Sequence, residues 1–468
     1  MTFAVFLICA FIFLGVGHLA AKYSREGEED YLLANRSLGK YFLGLSAGAT
    51  ANSGFIAIGG VGLAYTMGSK VFLLTLGFFL GEWAFWTFFA GKTNKIARET
   101  DSYTVPSLIG SSVKSHYAYI LTSVAAVITV IFIGTYASAQ FIAAGKALNS
   151  FFNLDVKSGA MLVALFIIPY CVFGGFRASV WTDIAQAAVV VFTCVVVLIG
   201  IYIEGGGFSN LLSQLNKTDP NFLSLLGSGT VWEAVKFTAG FVVLGFAFAL
   251  SNPHVLVRVL SGKSSDEARL AKWVYLLYVY GTWVAMCIFG VAAKVLLPHL
   301  SDPEQALPIF AEKNFSPLIV GIILAGIFST IASTADSQLL VCSNSLVKDL
   351  SPRFYKLITT RLGFRAHQLA TLLFGLLVLL LAVSLGSPMA KIVLFAVGVL
   401  AGSIGVAVLV VLLNMRRTVL SLSSAMVVGV ITAIAWRMLG LKGIFNESGP
   451  AILAGLLVNY LLAKRSKN

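Results

Sequence analysis

One stretch in the second half of the chain places hydroxyl side chains and a carboxylate at helical spacing. Ser329, Ser333 and Asp336 follow one another at i, i+4 and i+7, so they share one face of a helix. The adjoining hydroxyl residues are Thr330, Thr334 and Ser337. Hard oxygen ligands with one negative charge suit a small monovalent cation, whereas Mg²⁺ or Ca²⁺ usually takes several carboxylates. No His or Cys accompanies these oxygens, which disfavours a transition metal.

The alternative is that these hydroxyls serve helix packing. Ser and Thr can bond the carbonyl four residues earlier in their own helix or a group on a neighbouring helix. The carboxylate of Asp336 favours the cation, because an unpaired charge at membrane depth is costly. We therefore predict that this helical face binds a cation.

Three further carboxylates, Glu82, Asp183 and Glu233, lie within or beside apolar stretches. Ionisable residues inside a membrane are costly and are therefore functional candidates. Asp183 begins an apolar stretch directly after Trp181-Thr182. Glu82 could relay protons, or it could form an ion pair with a basic group near the edge of the bilayer. We expect the ion pair.

The composition is typical of a membrane protein. Of the 468 residues, 58% are apolar and 11% are charged, and the mean hydropathy is +0.89. A soluble domain carries about 25% charged residues, so most of this surface must face lipid. The net charge of +13 forms no basic cluster with interleaved aromatics, so no nucleic-acid partner is expected. Five cysteines without a CxxC pair predict neither a disulfide framework nor a zinc site.

Apolar windows of about 20 residues, the length of a bilayer span, alternate with polar or Gly/Pro-rich breaks. They predict an all-α polytopic membrane protein with about 13 transmembrane helices. The predicted spans are 2–21, 41–66, 71–91, 117–145, 158–175, 183–204, 231–252, 273–296, 316–343, 367–386, 390–414, 418–438 and 448–463. The first is expected to be a retained helix, because it lacks the basic n-region of a signal peptide.

Basic residues predict the orientation of the chain. With the N-terminus outside, 23 of the 33 basic residues fall on the cytoplasmic side, Arg25, Arg258 and Lys467 among them. About ten fall elsewhere, Lys391 and Lys442 among them. Because Lys and Arg are enriched in cytoplasmic loops, we expect a multi-pass protein of the inner (plasma) membrane with a cytoplasmic C-terminus.

Two predicted spans, 41–66 and 231–252, contain helix-breaking residues. The first combines six glycines with Ser, Thr and Asn, and the second runs into Ser251-Asn252-Pro253. Breaks of this kind free backbone carbonyls that protein, water or an ion must satisfy. Interrupted helices at matching positions of two inverted halves indicate a transport site near the midplane. The alternative is that the glycines only permit close helix packing.

Five blocks of sequence between residues 30 and about 350 carry a resemblance to a known family. They are Asp30-Tyr31 with Arg36-Ser37-Leu38-Gly39, Ser46-Ala47-Gly48-Ala49 with Ser53-Gly54, Gly174-Gly175-Phe176 with Trp181-Thr182-Asp183, Pro253-His254 with Arg258, and Ser333-Thr334 with Gln338 to Ser343 and Asp349. In this order the chain resembles the sodium/solute symporter family, most closely its bacterial sodium/proline symporters.

The resemblance implies a leucine-transporter-like fold, with two inverted five-helix repeats, one leading helix and two trailing helices. The whole chain, 1–468, would then form a single transmembrane transporter domain. Its parts would be a leading helix at 2–21, a first repeat at 41–204, a second repeat at 231–414 and trailing helices at 418–463. We expect a monomer in the lipid bilayer.

The resemblance also implies a sodium (Na⁺) site between the broken second span and the ninth span. Carried over by position, its ligands would be the carbonyls of Ala49, Asn52 and Thr330 and the hydroxyls of Ser333 and Thr334. Some members of the family have a second sodium site, whose equivalents here would be Asp183, Ser333, Asp336 and Ser337. An Asp at 336, where a small hydroxyl residue is more usual, makes that site more anionic. This could raise its cation affinity or let a proton replace the ion.

For the solute, Tyr136 matches a substrate-site tyrosine of the family, and Gln140 adds an amide one turn later. The remaining candidates lie at the two interrupted spans and are Ser53, Gly245, Phe246, Phe248 and Ala249. Proline symporters that resemble this chain carry Asp at the position of Ala51, and Trp and Tyr in the seventh span. The pocket is therefore expected to differ from a proline pocket.

Together these features imply secondary active, sodium-coupled symport of a small organic solute by alternating access, with an amino acid such as proline favoured. One alternative is a sodium- or proton-coupled carrier of monocarboxylates or other solutes. Another is a membrane solute sensor, against which the short tail after Lys464 argues. The chain has no P-loop, His-Glu-x-x-His or Gly-x-Ser-x-Gly pattern, so no enzyme is expected.

Overall fold

The computed structural model describes residues 1–23, 27–219, 221–363, 365–384, 388–441 and 445–465. Within these ranges the chain forms helices and no strand, apart from an isolated bridge between Leu38 and Gly262. The all-α prediction is confirmed. Arg25, Lys442 and Lys467, which were assigned to sides of the membrane, lie outside the described residues.

In the described residues of the first half, the chain forms ten α-helices. They are α1 (Thr2–Lys22), α2 (Glu28–Leu33), α3 (Lys40–Gly54), α4 (Gly60–Met67), α5 (Val71–Phe88), α6 (Ala90–Glu99), α7 (Val105–Ser111), α8 (Ala118–Phe152), α9 (Val156–Glu204) and α10 (Phe208–Thr218). Within the described residues the second half contributes eleven more. They are α11 (Val231–Ser251), α12 (Pro253–Leu260), α13 (Ser265–Leu296), α14 (Ala306–Asn314), α15 (Pro317–Lys348), α16 (Pro352–Leu362), α17 (Arg365–Ser384), α18 (Met389–Leu400), α19 (Val406–Leu412), α20 (Val419–Met438) and α21 (Ser448–Arg465).

Ten helical stretches in the described part of the chain are long and apolar enough to cross a membrane. One of them, Lys40–Phe88, contains two predicted spans with a short turn at Gly68–Lys70 between them. Two shorter apolar helices, Val156–Pro169 and Ser448–Lys464, cover two further predicted spans. Each predicted span therefore falls mainly on helix, and the number that crosses the bilayer stays a prediction.

Both helices expected to be interrupted are interrupted. Ser53, near the end of α3, has φ 51° and ψ 175°, and a π-helical turn at Phe55–Gly59 connects it to α4. At the other break, Asn252 is extended between α11 and α12. Pro253 then begins α12, where its missing N–H costs no hydrogen bond.

A third interruption lies inside α9. Gly175 has φ 60°, a conformation that favours glycine, and the ring of Tyr31 packs where its side chain would be. The sixth apolar stretch therefore begins at Gly175, earlier than predicted. Asp183 consequently lies within this helix instead of at its start.

Close packing at glycines joins α5 to α11. A Cβ added to Gly81 would lie 2.2 Å from the carbonyl oxygen of Val242, and one added to Gly245 would lie 2.6 Å from that of Phe78. Gly44 of α3 faces the backbone of α13 in the same way. The packing interpretation therefore holds for these glycines, while the breaks themselves lie at other residues.

The helix ends follow local chemistry. Thr230 precedes α11 and forms a capping box with Glu233, whose carboxylate accepts the Thr230 N–H at 2.8 Å. Glu233, one of the candidate carboxylates, is thus an exposed capping residue.

In the core, α3 packs against α9, α13 and α15, which places its break at the centre of the bundle.

Candidate ion and solute sites

Two hydroxyl side chains of α15 face the backbone of α3. Ser333 Oγ lies 3.0 Å from the carbonyl oxygen of Ala49 and 3.4 Å from that of Thr330. Thr334 Oγ1 lies 2.8 Å from the carbonyl oxygen of Thr50 and 3.3 Å from that of Thr330. All five residues are buried. The structure thus brings together four of the five predicted sodium ligands as hard oxygen atoms, which suit a hard cation.

Asn52, the fifth predicted ligand, is engaged elsewhere. Its carbonyl oxygen accepts the backbone N–H of Phe55, and its side-chain Nδ2 donates to Thr282 Oγ1 at 2.8 Å. These bonds tie the end of α3 to α13 and do not reach the hydroxyls of α15. To ligate an ion, the carbonyl oxygen of Asn52 would have to contact the ion while it still accepts the hydrogen bond from the Phe55 N–H, or give up that bond.

A second buried polar cluster surrounds the guanidinium group of Arg258 on α12. Its Nη2 lies 3.1 Å from Asp183 Oδ2, 2.9 Å from Ser179 Oγ and 2.5 Å from Ser337 Oγ. Its Nε donates to Ser46 Oγ at 3.2 Å. The charge distribution along the sequence places Arg258 among the cytoplasmic-side basic residues that orient the chain, which predicts a position outside the packed core. That prediction is wrong, because the side chain is fully buried between α3, α9 and α15.

This Arg258 cluster contains the residues predicted as a second sodium site. Ser337 Oγ lies 2.7 Å from Asp336 Oδ1 and 2.8 Å from the carbonyl oxygen of Ser333. Asp183 joins them through the guanidinium, so all four predicted residues meet here. Because arginine is always charged and presents five donors, Arg258 compensates the charge of Asp183.

The break in α3 is held by two side chains of α8. Tyr136 OH donates to Ser53 Oγ at 3.1 Å, and the Gly54 N–H donates to Gln140 Oε1 at 2.9 Å. A non-glycine residue at positive φ is sparsely populated and persists when its surroundings over-determine it. Tyr136 and Gln140, predicted to contact the solute, therefore also fix the interrupted backbone.

A central cavity lies beside this break. Its volume is about 40 Å³, which leaves room for water but not for an amino acid. It is lined by Ala51, Asn52, Phe55, Ile56, Phe78, Glu82, Tyr136, Phe248, Val279, Trp283, Val393, Leu394 and Val397. Apolar and aromatic walls with a few polar groups are typical of small-molecule sites.

The predicted solute residues divide into two groups. Tyr136 and Phe248 line the central cavity. The others do not: Ser53 and Gln140 bond at the break, Gly245 and Ala249 are packed between helices, and Phe246 contacts Phe89 edge to face with ring centres 5.6 Å apart. The cavity is thus displaced from the glycine-containing part of α11.

Glu82 lies in the wall of the central cavity and is 2% exposed. Its carboxylate accepts hydrogen bonds from Tyr275 OH at 2.9 Å and Tyr280 OH at 2.7 Å. No Lys or Arg in the described ranges forms an ion pair with it, contrary to the pairing that we expected. The carboxylate is therefore held by two neutral hydroxyls and faces the cavity.

Sequence reasoning missed the contribution of α13 to this cavity. Trp283 lines it, and Tyr280 stacks on Trp283 with ring centres 5.8 Å apart. A signal was present, since tyrosine and tryptophan at Tyr275, Tyr280 and Trp283 recur in one predicted span. Buried aromatic residues with a polar atom usually need a hydrogen-bond partner.

Comparisons with known proteins identify the family of the chain. The family model described as sodium:solute symporter family matches residues 31–432. The high-affinity proline transporter PutP of Bacillus subtilis is 27% identical over 94% of this chain and 93% of that protein. The sodium/proline symporter of Escherichia coli is 26% identical over 97% of this chain and 92% of its own length.

Among solved structures, a Na⁺-coupled sialic acid symporter in a substrate-bound, outward-open state is similar with a TM-score of 0.81. The likeness covers 99% of this chain and 98% of that one at 19% sequence identity. It therefore concerns the fold, and it confirms the leucine-transporter-like architecture expected from the sequence.

Proposed function

Because the chain belongs to the sodium:solute symporter family, we propose that the small organic solute it carries with sodium is a zwitterionic amino acid, with proline favoured. The chain is a multi-pass membrane transporter and not an enzyme. Relatives named as proline transporters, 25–28% identical along nearly the whole chain, support the choice of solute.

The observation that carries the proposal is the buried carboxylate of Glu82 in the cavity wall. A charged group out of water needs a partner of opposite charge or several hydrogen bonds. Tyr275 and Tyr280 supply two bonds, and the ammonium group of an amino acid would supply the charge. The aromatic rings of Phe78 and Trp283 line the same cavity, and aromatic rings attract cations.

The opposite end of a zwitterion needs donors, and the cavity offers one. Trp283 Nε1 is buried and has no hydrogen-bond partner among the described residues. A solute carboxylate could accept this N–H, since an unused buried donor costs free energy. Ala51, where similar proline symporters carry Asp, also lines the cavity, so the contacts of the solute differ in detail from theirs.

For the coupling ion, the proposed site is the oxygen cluster between α3 and α15. Ala49, Thr330, Ser333 and Thr334 supply two carbonyl and two hydroxyl oxygens there, and Asn52 is the proposed fifth ligand. Sodium at this position would replace hydroxyl-to-carbonyl bonds with ion contacts that join the two helices. The ion would thereby hold the broken helix in the conformation that receives the solute.

A second cation is proposed for the Arg258 cluster. Asp183 lies beside Arg258 there and Asp336 beside Ser337, and the resemblance to family members with a second sodium site supports the proposal. The carbonyl oxygen of Ser333 lies 2.8 Å from Ser337 Oγ, so these two residues would supply further oxygen ligands for a sodium ion or hold a proton. Whether this second cation crosses the membrane decides the stoichiometry of coupling.

Transport would follow alternating access. We propose residues 41–204 and 231–414 as the two inverted repeats, which rock against each other around the site, with the chain acting as a monomer. The proposed location is the inner (plasma) membrane, with the N-terminus outside. The membrane potential would add about 2.3 kcal/mol per charge and 100 mV to the sodium gradient.

Uptake of labelled proline into proteoliposomes tests the proposal. Accumulation is expected with an inward sodium gradient and not with potassium in its place. Glu82→Gln keeps the shape of the side chain and removes its charge, so uptake at low proline should fall at least about tenfold, because about 1.4 kcal/mol of binding is lost. Glu99→Gln, which neutralises an exposed carboxylate on α6, should leave uptake unchanged.

Accumulation of a monocarboxylate but not of proline would refute the proposed solute and favour the alternative carrier. Full proline uptake by Glu82→Gln would refute its role as the ammonium partner. Binding of proline without any accumulation would point to a sensor.

A further inference from the structure

A large open cavity lies at one end of the bundle, where α5, α11, α18 and α21 begin. Its volume is about 780 Å³, far larger than the central cavity. The charged residues in its wall are Lys70, Lys236, Lys391, Arg437, Glu233 and Glu447. Four cations against two carboxylates give this mouth cavity a net positive charge.

The two carboxylates offset the positive charge of the mouth cavity only in part. Glu447 Oε1 accepts from Arg437 Nη1 at 3.1 Å, so this pair is internally compensated. Glu233 caps α11 through the backbone of Thr230. Within the described ranges, Lys70, Lys236 and Lys391 have no carboxylate within salt-bridge distance. Glu233 is near enough to interact electrostatically with Lys236 and Lys70, so one carboxylate stands against three ammonium groups and the cavity keeps a net positive charge.

The mouth cavity adjoins the central cavity. Leu394 on α18 lines both of them, so one side chain stands between the two spaces. Lys391 precedes Leu394 by three residues, which places both on neighbouring positions of one helical face. A solute that passes Leu394 into the central cavity must first lie close to these lysines.

The basic residues in the mouth cavity are unexpected when they are compared with the distribution of Lys and Arg along the chain. In the predicted orientation the mouth cavity faces outside, where basic residues are depleted. Four of the ten basic residues not assigned to the cytoplasmic side nevertheless line it: Lys70, Lys236, Lys391 and Arg437. Their position is not explained by the orientation rule, which would disfavour it.

We propose that the mouth cavity is a capture site for the carboxylate group of the solute on its way to the central cavity. The proposal rests on the proposed function and on the predicted orientation. A cavity lined by one sign of charge focuses the field, and a zwitterion in that field turns its carboxylate toward the lysines and its ammonium group away from them. Lysine ammonium groups on flexible stems would hold the carboxylate transiently, while Glu82 beyond Leu394 would receive the ammonium end.

Uptake at low ionic strength tests the capture site. In the double variant Lys236→Gln/Lys391→Gln, uptake at solute concentrations well below saturation should fall at least about threefold, while the maximal rate is unchanged, because steering acts on association. Adding choline chloride at constant sodium should remove the difference, since salt screens exposed charges. The matched control is Lys217→Gln/Lys313→Gln, which removes two exposed lysines outside the cavity.

Equal uptake by the wild type and the Lys236/Lys391 variant at low ionic strength would overturn the proposal. So would an equal loss in the control variant, because the effect would then reflect net charge alone.

Thiol labelling tests the cavity independently of transport. Ser228→Cys places an exposed thiol in the cavity wall, and Ser209→Cys places one on α10 outside it. The ratio of labelling rates for an anionic over a cationic methanethiosulfonate reagent should be several-fold higher at residue 228. It should fall to the ratio at residue 209 when Lys236 and Lys391 are neutralised. Equal ratios at the two positions would refute the capture site, whether or not proline is the solute.

Discussion

Ser333 and Thr334 of α15 contact carbonyl oxygens near the end of α3. Each hydroxyl lies within 3.0 Å of a carbonyl of the other helix, and both side chains are buried. Such a bond can hold two helices together without an ion. The proposed sodium site therefore differs from ordinary helix packing in a testable way, which is the response of transport to sodium.

Ser333→Ala and Thr334→Ala should each raise the sodium concentration for half-maximal uptake about tenfold, because a lost ligand costs about 1.4 kcal/mol or more. Ser343→Ala is the matched control, since this buried hydroxyl of the same helix bonds to Leu340 and Thr371. Uptake measured against sodium concentration distinguishes them. An equal change in all three variants would contradict the proposed site.

Glu82 and Arg258 are two residues whose hydrogen-bond partners could not be predicted from the sequence. Both are buried charges, but their partners come from other helices: tyrosines of α13 for Glu82, and groups of α3, α9 and α15 for Arg258. The charges were readable from the chain, and so was the membrane depth of Glu82, whereas the burial of Arg258 was not. The partners were not, because Tyr275 and Ser46 lie about 200 residues from the groups that they contact.

Among the helices, the contact of α5 with α11 depends on glycine. A Cβ at Gly81 would lie 2.2 Å from the carbonyl oxygen of Val242 and 2.3 Å from the Phe246 nitrogen. Backbone atoms cannot move aside as a side chain can, so the two helices would have to separate. Since Phe78 and Phe248 on these helices line the central cavity, their spacing also shapes the solute site.

Gly81→Ala should therefore destabilise the protein by about 1–3 kcal/mol, the usual range for overpacking. Gly281→Ala on α13 is the control, because nothing lies within 4 Å of the added Cβ. In a helix interior that change should be neutral or slightly stabilising. Thermal unfolding in detergent measures both, and an unchanged melting temperature for Gly81→Ala would show that the helices are not as close as described.

The broken helices were readable from residue types, whereas the exact break was not. Gly-rich composition predicted an interruption in the second span, yet the strained residue is Ser53, held by Tyr136 and followed by a π-helical turn. In the seventh span the break follows Ser251, as the Asn252-Pro253 pair indicated. A proline interrupts a helix through its own ring and missing N–H. A serine at positive φ is instead held in place by contacts from another helix, here α8.

For the whole molecule, orientation remains a prediction that follows from charge. Lys217 on α10 and Lys356 on α16 are both exposed and should lie on opposite sides of the membrane. In right-side-out vesicles, Lys217→Cys should react with a membrane-impermeant thiol reagent. Lys356→Cys should react only after permeabilisation. The reverse pattern would invert the proposed topology and would place the mouth cavity on the cytoplasmic side.

The sequence alone determined the membrane character, the positions of the helices and the helical face with Ser333 and Asp336. These depend on apolar length and on the 3.6-residue period, which are local properties of the chain. Tertiary structure alone decided that Arg258 is buried beside Asp183 and that Glu82 faces a cavity with Tyr136 and Phe248. Such placements depend on contacts between helices far apart in the chain, and no local pattern encodes which helices pack together.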